Sequence, residues 1–98
     1  MYKDIISYEL AENKTKEVLL KVAEQIVNDW MKNQIGFIKW EIHMNNDGGY
    51  TDIVYWKSKE AAELAEKEMV NIPNAAEWFA CYKPGTITSK NLTTIAAF

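Results

Sequence analysis

The chain has 98 residues, of which 48% are hydrophobic and 26% charged, with a formal net charge of −3. This composition is typical of one globular domain spanning residues 1–98 and argues against disorder. A nucleic-acid partner is not expected, because such proteins carry a basic surplus. No apolar run could cross a bilayer and the N-terminus does not resemble a signal peptide, so we expect a cytoplasmic protein with no membrane partner.

The reactive side chains are few. Cys81 is the single cysteine and His43 the single histidine, which excludes an internal disulfide and any two-histidine metal centre within one chain. No phosphate-binding glycine motif or dinucleotide fingerprint occurs. We expect Cys81 to be a buried small apolar residue rather than a nucleophile.

The first half of the chain predicts a strand followed by a long helix. Residues 3–10 are rich in β-branched and aromatic types, which favours a strand. Asn13 is a plausible N-cap, and apolar residues recur at helical spacing through residues 15–33. Among them, Trp30 is expected to belong to the apolar core stripe.

The second half predicts a hairpin, a helix and a closing strand. Residues 37–44 and 50–56 are strand-like and flank a glycine-rich turn. Ser58 is a plausible cap for a helix that runs through Met69. Residues 74–82 predict a short helical segment and residues 86–98 a last strand.

The resulting order is β-α-β-β-α-β, which is the α+β, ferredoxin-like arrangement. It predicts a four-stranded antiparallel sheet with both long helices on one face. The other face of the sheet is then uncovered.

The register of the hairpin decides which side chains lie on that uncovered face. A two-residue turn at Asp47 and Gly48 places His43 opposite Asp52. In this register Trp40, Ile53 and Tyr55 are among the residues that lie under the helices. The uncovered face then carries Lys39, Glu41, His43, Asp52, Val54 and Trp56, with Ile6 and Tyr8 from the first strand.

Such a face is too apolar for open water and too polar for a dry core. We therefore expect a homodimer in which two copies place their open sheet faces together, with a cavity between the sheets.

Two segments resemble the antibiotic-biosynthesis-monooxygenase-like domains of the dimeric α/β-barrel superfamily. Gly36-Phe37 resembles the family's entry to the second strand, and residues 53–62 (IVYWKSKEAA) resemble its strand-to-helix junction. The resemblance implies a barrel-shaped dimer with one pocket per subunit. Members of the family handle quinols and phenols, haem, lactones or other small aromatic molecules. For this chain we expect a phenol or quinol that is oxidised without a bound cofactor.

The resemblance places Trp56 in the pocket, and from the predicted register we expect His43, oriented by Asp52, to remove a phenolic proton. Tyr8, Trp56 and Phe37 are the expected substrate contacts. In the alternative interpretation, His43 and Asp52 belong to a surface ladder and Trp56 packs at the dimer interface. The protein is then a non-catalytic ligand-binding or structural dimer of the same fold.

Two further features bear on the pocket. The haem-degrading branch of the superfamily needs an axial histidine after the strand-to-helix junction, and residues 59–82 contain none. Haem degradation of that type is therefore not expected.

Trp78, Phe79 and Tyr82 either cover the pocket or pack the second helix onto the sheet, and packing is the more common role of such a cluster.

Overall fold

A computed structural model describes residues 1–98 and has the predicted element order. The elements are β1 (Tyr2–Tyr8), α1 (Lys16–Asp29), β2 (Phe37–Met44), β3 (Tyr50–Trp56), α2 (Lys59–Glu68), α3 (Ala75–Phe79) and β4 (Thr88–Thr93). The strands form one antiparallel sheet in the order β2-β3-β1-β4. The ferredoxin-like prediction is confirmed, with β4 shorter than residues 86–98.

Hydroxyl side chains cap both long helices. Ser58 caps α2 as predicted, since its Oγ accepts a hydrogen bond from the Ala61 amide at 3.1 Å. The cap of α1 is Thr15, whose Oγ1 accepts from the Val18 amide at 3.2 Å. The prediction of Asn13 was wrong, because the helix begins two residues further along the chain.

The loop of the hairpin is one residue longer than predicted. The Asn45 amide donates to the Gly49 carbonyl at 2.7 Å, and the Gly48 amide donates to the Asn45 carbonyl at 3.0 Å. Gly48 has a φ of +91°, so the loop has three residues and ends in a left-handed glycine rather than turning through two. His43 therefore pairs with Thr51, and Asp52 pairs with Ile42.

Because side chains alternate along a strand, this one-residue change reverses the face of every β3 residue. The alternate β3 residues Asp52, Val54 and Trp56 are buried under the helices. Tyr8 is buried with them, and Ile6 packs against the same core. The prediction that these five residues lie on the uncovered face was wrong.

The open face carries the alternate residues of each strand, whose side chains point away from the helices. Lys39, Glu41 and His43 lie there as predicted, opposite Tyr55, Ile53 and Thr51 respectively. Ile53 and Tyr55 were predicted to lie under the helices, and that prediction was wrong as well. None of the helices is both long enough and apolar enough to span a membrane.

Candidate functional site

A cavity of about 310 Å³ lies between the covered face of the sheet and the helices. Six aromatic side chains contribute to its wall, and the polar groups beside them include carboxylates, hydroxyls and an amide. The aromatic wall residues are Tyr2, Trp30, Trp40, Trp56, Trp78 and Tyr82. This size is within the range of small-molecule sites.

Asp52 is the buried acidic group of this cavity. It is 1% exposed, and its Oδ1 accepts a hydrogen bond from the Tyr8 hydroxyl at 2.8 Å. Its Oδ2 accepts from the Tyr82 hydroxyl, also at 2.8 Å. Burial raises the pKa of Asp52, and the hydrogen bonds from Tyr8 and Tyr82 oppose that rise. The carboxyl group is therefore held by two phenols rather than by a cation.

Tyr82 reaches Asp52 because the chain after α3 returns to the end of β1. The Ala11 amide donates to the Cys81 carbonyl, and the Lys83 amide donates to the Glu9 carbonyl, each at 2.9 Å. The Tyr82 hydroxyl also accepts a hydrogen bond from Trp78 Nε1 at 2.9 Å. That donor directs the hydroxyl proton of Tyr82 towards Asp52.

The two phenols stay protonated. Burial, followed by the proximity of Asp52, raises the pKa of both Tyr8 and Tyr82 far above the ordinary value. Their rings stack with centroids 4.2 Å apart, which fixes both hydroxyls on the same carboxyl group.

Two indole N–H groups in the cavity wall have no hydrogen-bond partner. They belong to Trp40 and Trp56, and both nitrogens are buried. The Trp40 N–H acts with the tyrosines to lower the pKa of Asp52, and the Trp56 N–H does the same for Asp4, but neither makes a hydrogen bond of good geometry. Buried donors without partners are uncommon and costly, so each is available to donate a hydrogen bond to an acceptor atom of a ligand.

The predicted site residues divide into three groups. Asp52 and Trp56 line the cavity. Tyr8 reaches it only through its hydrogen bond to Asp52, and Phe37 supports Trp56 from behind, with ring centroids 5.7 Å apart. His43 lies on the opposite face of the sheet, so the predicted His43–Asp52 pair was wrong.

His43 belongs instead to a polar cluster on the open face. Its Nε2 lies 3.1 Å from Glu41 Oε1, and Lys39 Nζ lies 3.1 Å from Glu41 Oε2. The Tyr55 hydroxyl donates to Glu41 at 2.8 Å. Hydrogen bonds from Tyr55, His43 and Lys39 lower the pKa of Glu41 to about 2. The surface-ladder interpretation thus describes Lys39, Glu41 and His43, but not Asp52.

Sequence reasoning missed several residues of the cavity wall. Trp30 and Trp40 were assigned to core stripes, and Trp78 and Tyr82 were expected mainly to pack the second helix, yet all four face the cavity. The four-residue spacing of Trp78 and Tyr82 was the available signal, since it places both on one side of a helical turn. Cys81 is fully buried, as predicted.

Solved structures share this fold over nearly the whole chain. A monooxygenase from Streptomyces coelicolor in complex with nanaomycin D is 17% identical, with a TM-score of 0.73 over 99% of this chain and 89% of that one. SnoaB, a cofactor-independent oxygenase from Streptomyces nogalater, is 15% identical, with a TM-score of 0.76 over 98% of this chain and 94% of that one.

A variant of MhuD with two manganese protoporphyrin IX molecules per active site is 15% identical, with a TM-score of 0.70 over 100% of this chain and 98% of that one. No protein-family model matches the chain. No curated protein matches it in sequence.

Proposed function

From the fold of the antibiotic-biosynthesis-monooxygenase-like proteins, we propose that this chain oxidises a small phenol or quinol with molecular oxygen and without a bound cofactor. The observation that carries the proposal is Asp52, a buried carboxylate at an aromatic cavity that no cation neutralises. Such a group is suited to accept a proton from a bound hydroxyl, because burial raises its pKa towards the working pH.

In the proposed reaction Asp52 takes the proton of the substrate hydroxyl, and the electron-rich phenolate reacts with oxygen at a ring carbon that carries hydrogen. A carbon–oxygen bond forms, and Asp52 returns its proton to the outer peroxide oxygen. Loss of the carbon-bound proton and of hydroxide then leaves a carbonyl group and one molecule of water. The protein supplies proton transfer and orientation, and the substrate supplies the electrons.

The surrounding residues have positioning roles in this proposal. Tyr8 and Tyr82 hold the carboxyl group of Asp52 from two directions. Trp56 offers the substrate a flat wall and an N–H that makes no hydrogen bond of good geometry within the protein, and Phe37 packs against that indole. An open cavity of this size also supports a ligand-binding role over a purely structural dimer.

We further propose that the protein is a homodimer through its open sheet face. Ile5, Ile53 and Tyr55 lie on that face, between charged side chains of the neighbouring strands. A second copy placed on this face would shield these apolar groups without covering the Asp52 cavity, which is on the other side of the sheet.

Oxygen uptake with a panel of hydroquinones and naphthoquinols tests the proposed reaction. Once a substrate is found, Asp52→Asn should lower kcat by about 10²-fold to 10⁴-fold, because the amide cannot accept the proton. His43→Ala is the matched comparison. It should change kcat by less than about twofold, because it leaves the proposed base, Asp52, in place. Full turnover by Asp52→Asn would refute the proposed role of Asp52.

A further inference from the structure

The charged groups of the cavity wall all have the same sign. Four carboxylates line it, namely Asp4 and Asp52 from the sheet and Glu63 and Glu66 from α2, and no lysine does. The chain has no arginine at all. Glu63 and Glu66 are exposed, so they lie at the mouth of the cavity, whereas Asp52 lies at its buried end.

Within this group Glu66 acts on Asp4. Burial raises the pKa of Asp4, the Trp56 indole opposes that rise, and Glu66 adds to it. Burial also raises the pKa of the Tyr2 hydroxyl, and Asp4, Glu63 and Glu66 add to that rise. A negative potential therefore converges on the mouth of the cavity, where a cation would relieve it.

A second, independent observation concerns the aromatic wall. The chain has four tryptophans, and all four line this cavity. Tryptophan is the best aromatic partner for a cation. Trp56 is 3% exposed, and its Nε1 has no hydrogen-bond partner, so the wall also offers a buried donor to an oxygen atom of a ligand.

We propose that the cavity selects a small aromatic ligand that carries a protonated amine, and that it disfavours carboxylates. The inference depends on two features that lie together, namely the carboxylates at the mouth of the cavity and the four tryptophans in its wall. The ammonium group would lie near Asp4, Glu63 and Glu66, with the hydroxyl of the ligand directed inwards to Asp52. The inference rests on the proposed function only in using the same cavity, and it adds the charge class of the ligand.

Three probes with the same phenol ring and a two-carbon chain separate charge from shape. Tyramine is a cation, 4-ethylphenol is neutral and 3-(4-hydroxyphenyl)propionate is an anion at pH 7. Their dissociation constants can be measured by quenching of tryptophan fluorescence, excited beyond tyrosine absorption. We expect tyramine to bind about tenfold more tightly than 4-ethylphenol and the propionate to bind most weakly, with the preference decreasing as salt is added.

A variant on α2 tests the source of the preference. Glu66→Gln should reduce the ratio of the tyramine and 4-ethylphenol affinities by about threefold or more, because a carboxylate at the mouth is lost. Glu60→Gln removes the same charge from the same helix but at a residue that does not line the cavity. It should leave the ratio unchanged.

The outcomes distinguish this inference from the proposed reaction. Equal affinities, or tighter binding of the propionate, would overturn the amine preference whether or not phenols are oxidised. A clear amine preference without oxygen uptake would support the inference and refute the monooxygenase proposal. If none of the three probes binds at millimolar concentration, the amine preference is refuted, and oxygen uptake with the hydroquinones and naphthoquinols still decides the proposed reaction.

Discussion

Asp52 is a carboxylate in the core of a small domain, and its position is tolerable only because other side chains supply its hydrogen bonds. Tyr8 and Tyr82 each donate to one oxygen, and Trp78 orients the second phenol. A buried carboxylate held by neutral donors keeps its full negative charge when ionised, so folding and ionisation of Asp52 oppose each other.

This opposition predicts how stability depends on pH. The pKa of Asp52 is raised in the folded state, so the folded protein binds more protons than the unfolded chain between the unfolded pKa of about 3.9 and the folded pKa. The contribution of Asp52 to stability is present below that window and is lost as the pH rises through it. Asp52→Asn has no such loss, because its amide stays neutral. The amide oxygen accepts from one tyrosine hydroxyl, and the NH2 group donates to the oxygen of the other.

Thermal unfolding of the wild type and Asp52→Asn at several pH values measures this effect. The stability of the variant relative to wild type should increase from about pH 4 to pH 7, by about 1.4 kcal/mol for each unit by which folding raises the pKa. Asp52→Ala serves as a control for packing, and should lose about 2–4 kcal/mol because two buried hydroxyls lose their acceptor. A pH-independent difference between wild type and Asp52→Asn would contradict this account.

At the scale of the elements, the contact between the start of β2 and α2 supports the wall that contains Trp56. Gly36 has a φ of +83°, and a Cβ atom there would lie 2.5 Å from Ala61 Cβ. The Lys57 amide donates to the Gly36 carbonyl at 2.8 Å, directly after Trp56. The approach of the helix to the strand thus needs a residue without a side chain.

Gly36→Ala should therefore destabilise the fold by about 2–4 kcal/mol, from backbone strain and overpacking together. Gly85→Ala is the matched control, because Gly85 also has a φ of +83° but no atom within 4 Å of its would-be Cβ. Gly85→Ala should be destabilised only by backbone strain, which costs about 1–2 kcal/mol. Equal losses in a denaturant titration would show that the contact with Ala61 contributes nothing.

At the scale of the whole molecule, the covered and open faces of the sheet carry different kinds of side chain. The covered face holds the cavity, and the open face combines Ile5, Ile53 and Tyr55 with the Glu41 cluster. The proposed dimer predicts a mass in light scattering close to twice the 11.3 kDa of one chain.

Ile53→Lys tests that interface, because it places a charge on the centre of the open face beside Glu41, its partner on β2. Burying that charge between two copies should weaken dimerisation by about 2–5 kcal/mol, while a single copy can solvate it. Ile35→Lys adds the same charge at a residue that is 83% exposed and outside the sheet. It should leave the mass unchanged, and a persistent Ile53→Lys dimer would exclude this face.

The sequence by itself determined the order of the elements, the cap of α2 and the two alternating sets of strand residues. These are local properties, since alternation, a capping serine and a glycine turn act within a few residues. It did not determine which set lies under the helices. Both sets of β3 contain large apolar residues, Val54 and Trp56 in one and Ile53 and Tyr55 in the other, so composition could not choose between them.

The tertiary structure decided the remaining question through one residue of loop length. The turn from Asn45 to Gly49 closes around three residues instead of two, and that difference moves Asp52 from the open face of the sheet into the core. An acidic side chain in a core is favoured only where donors meet it, and its donors are 44 and 30 residues away in the chain. Contacts of that range exist only once the sheet, α3 and the end of β1 have come together.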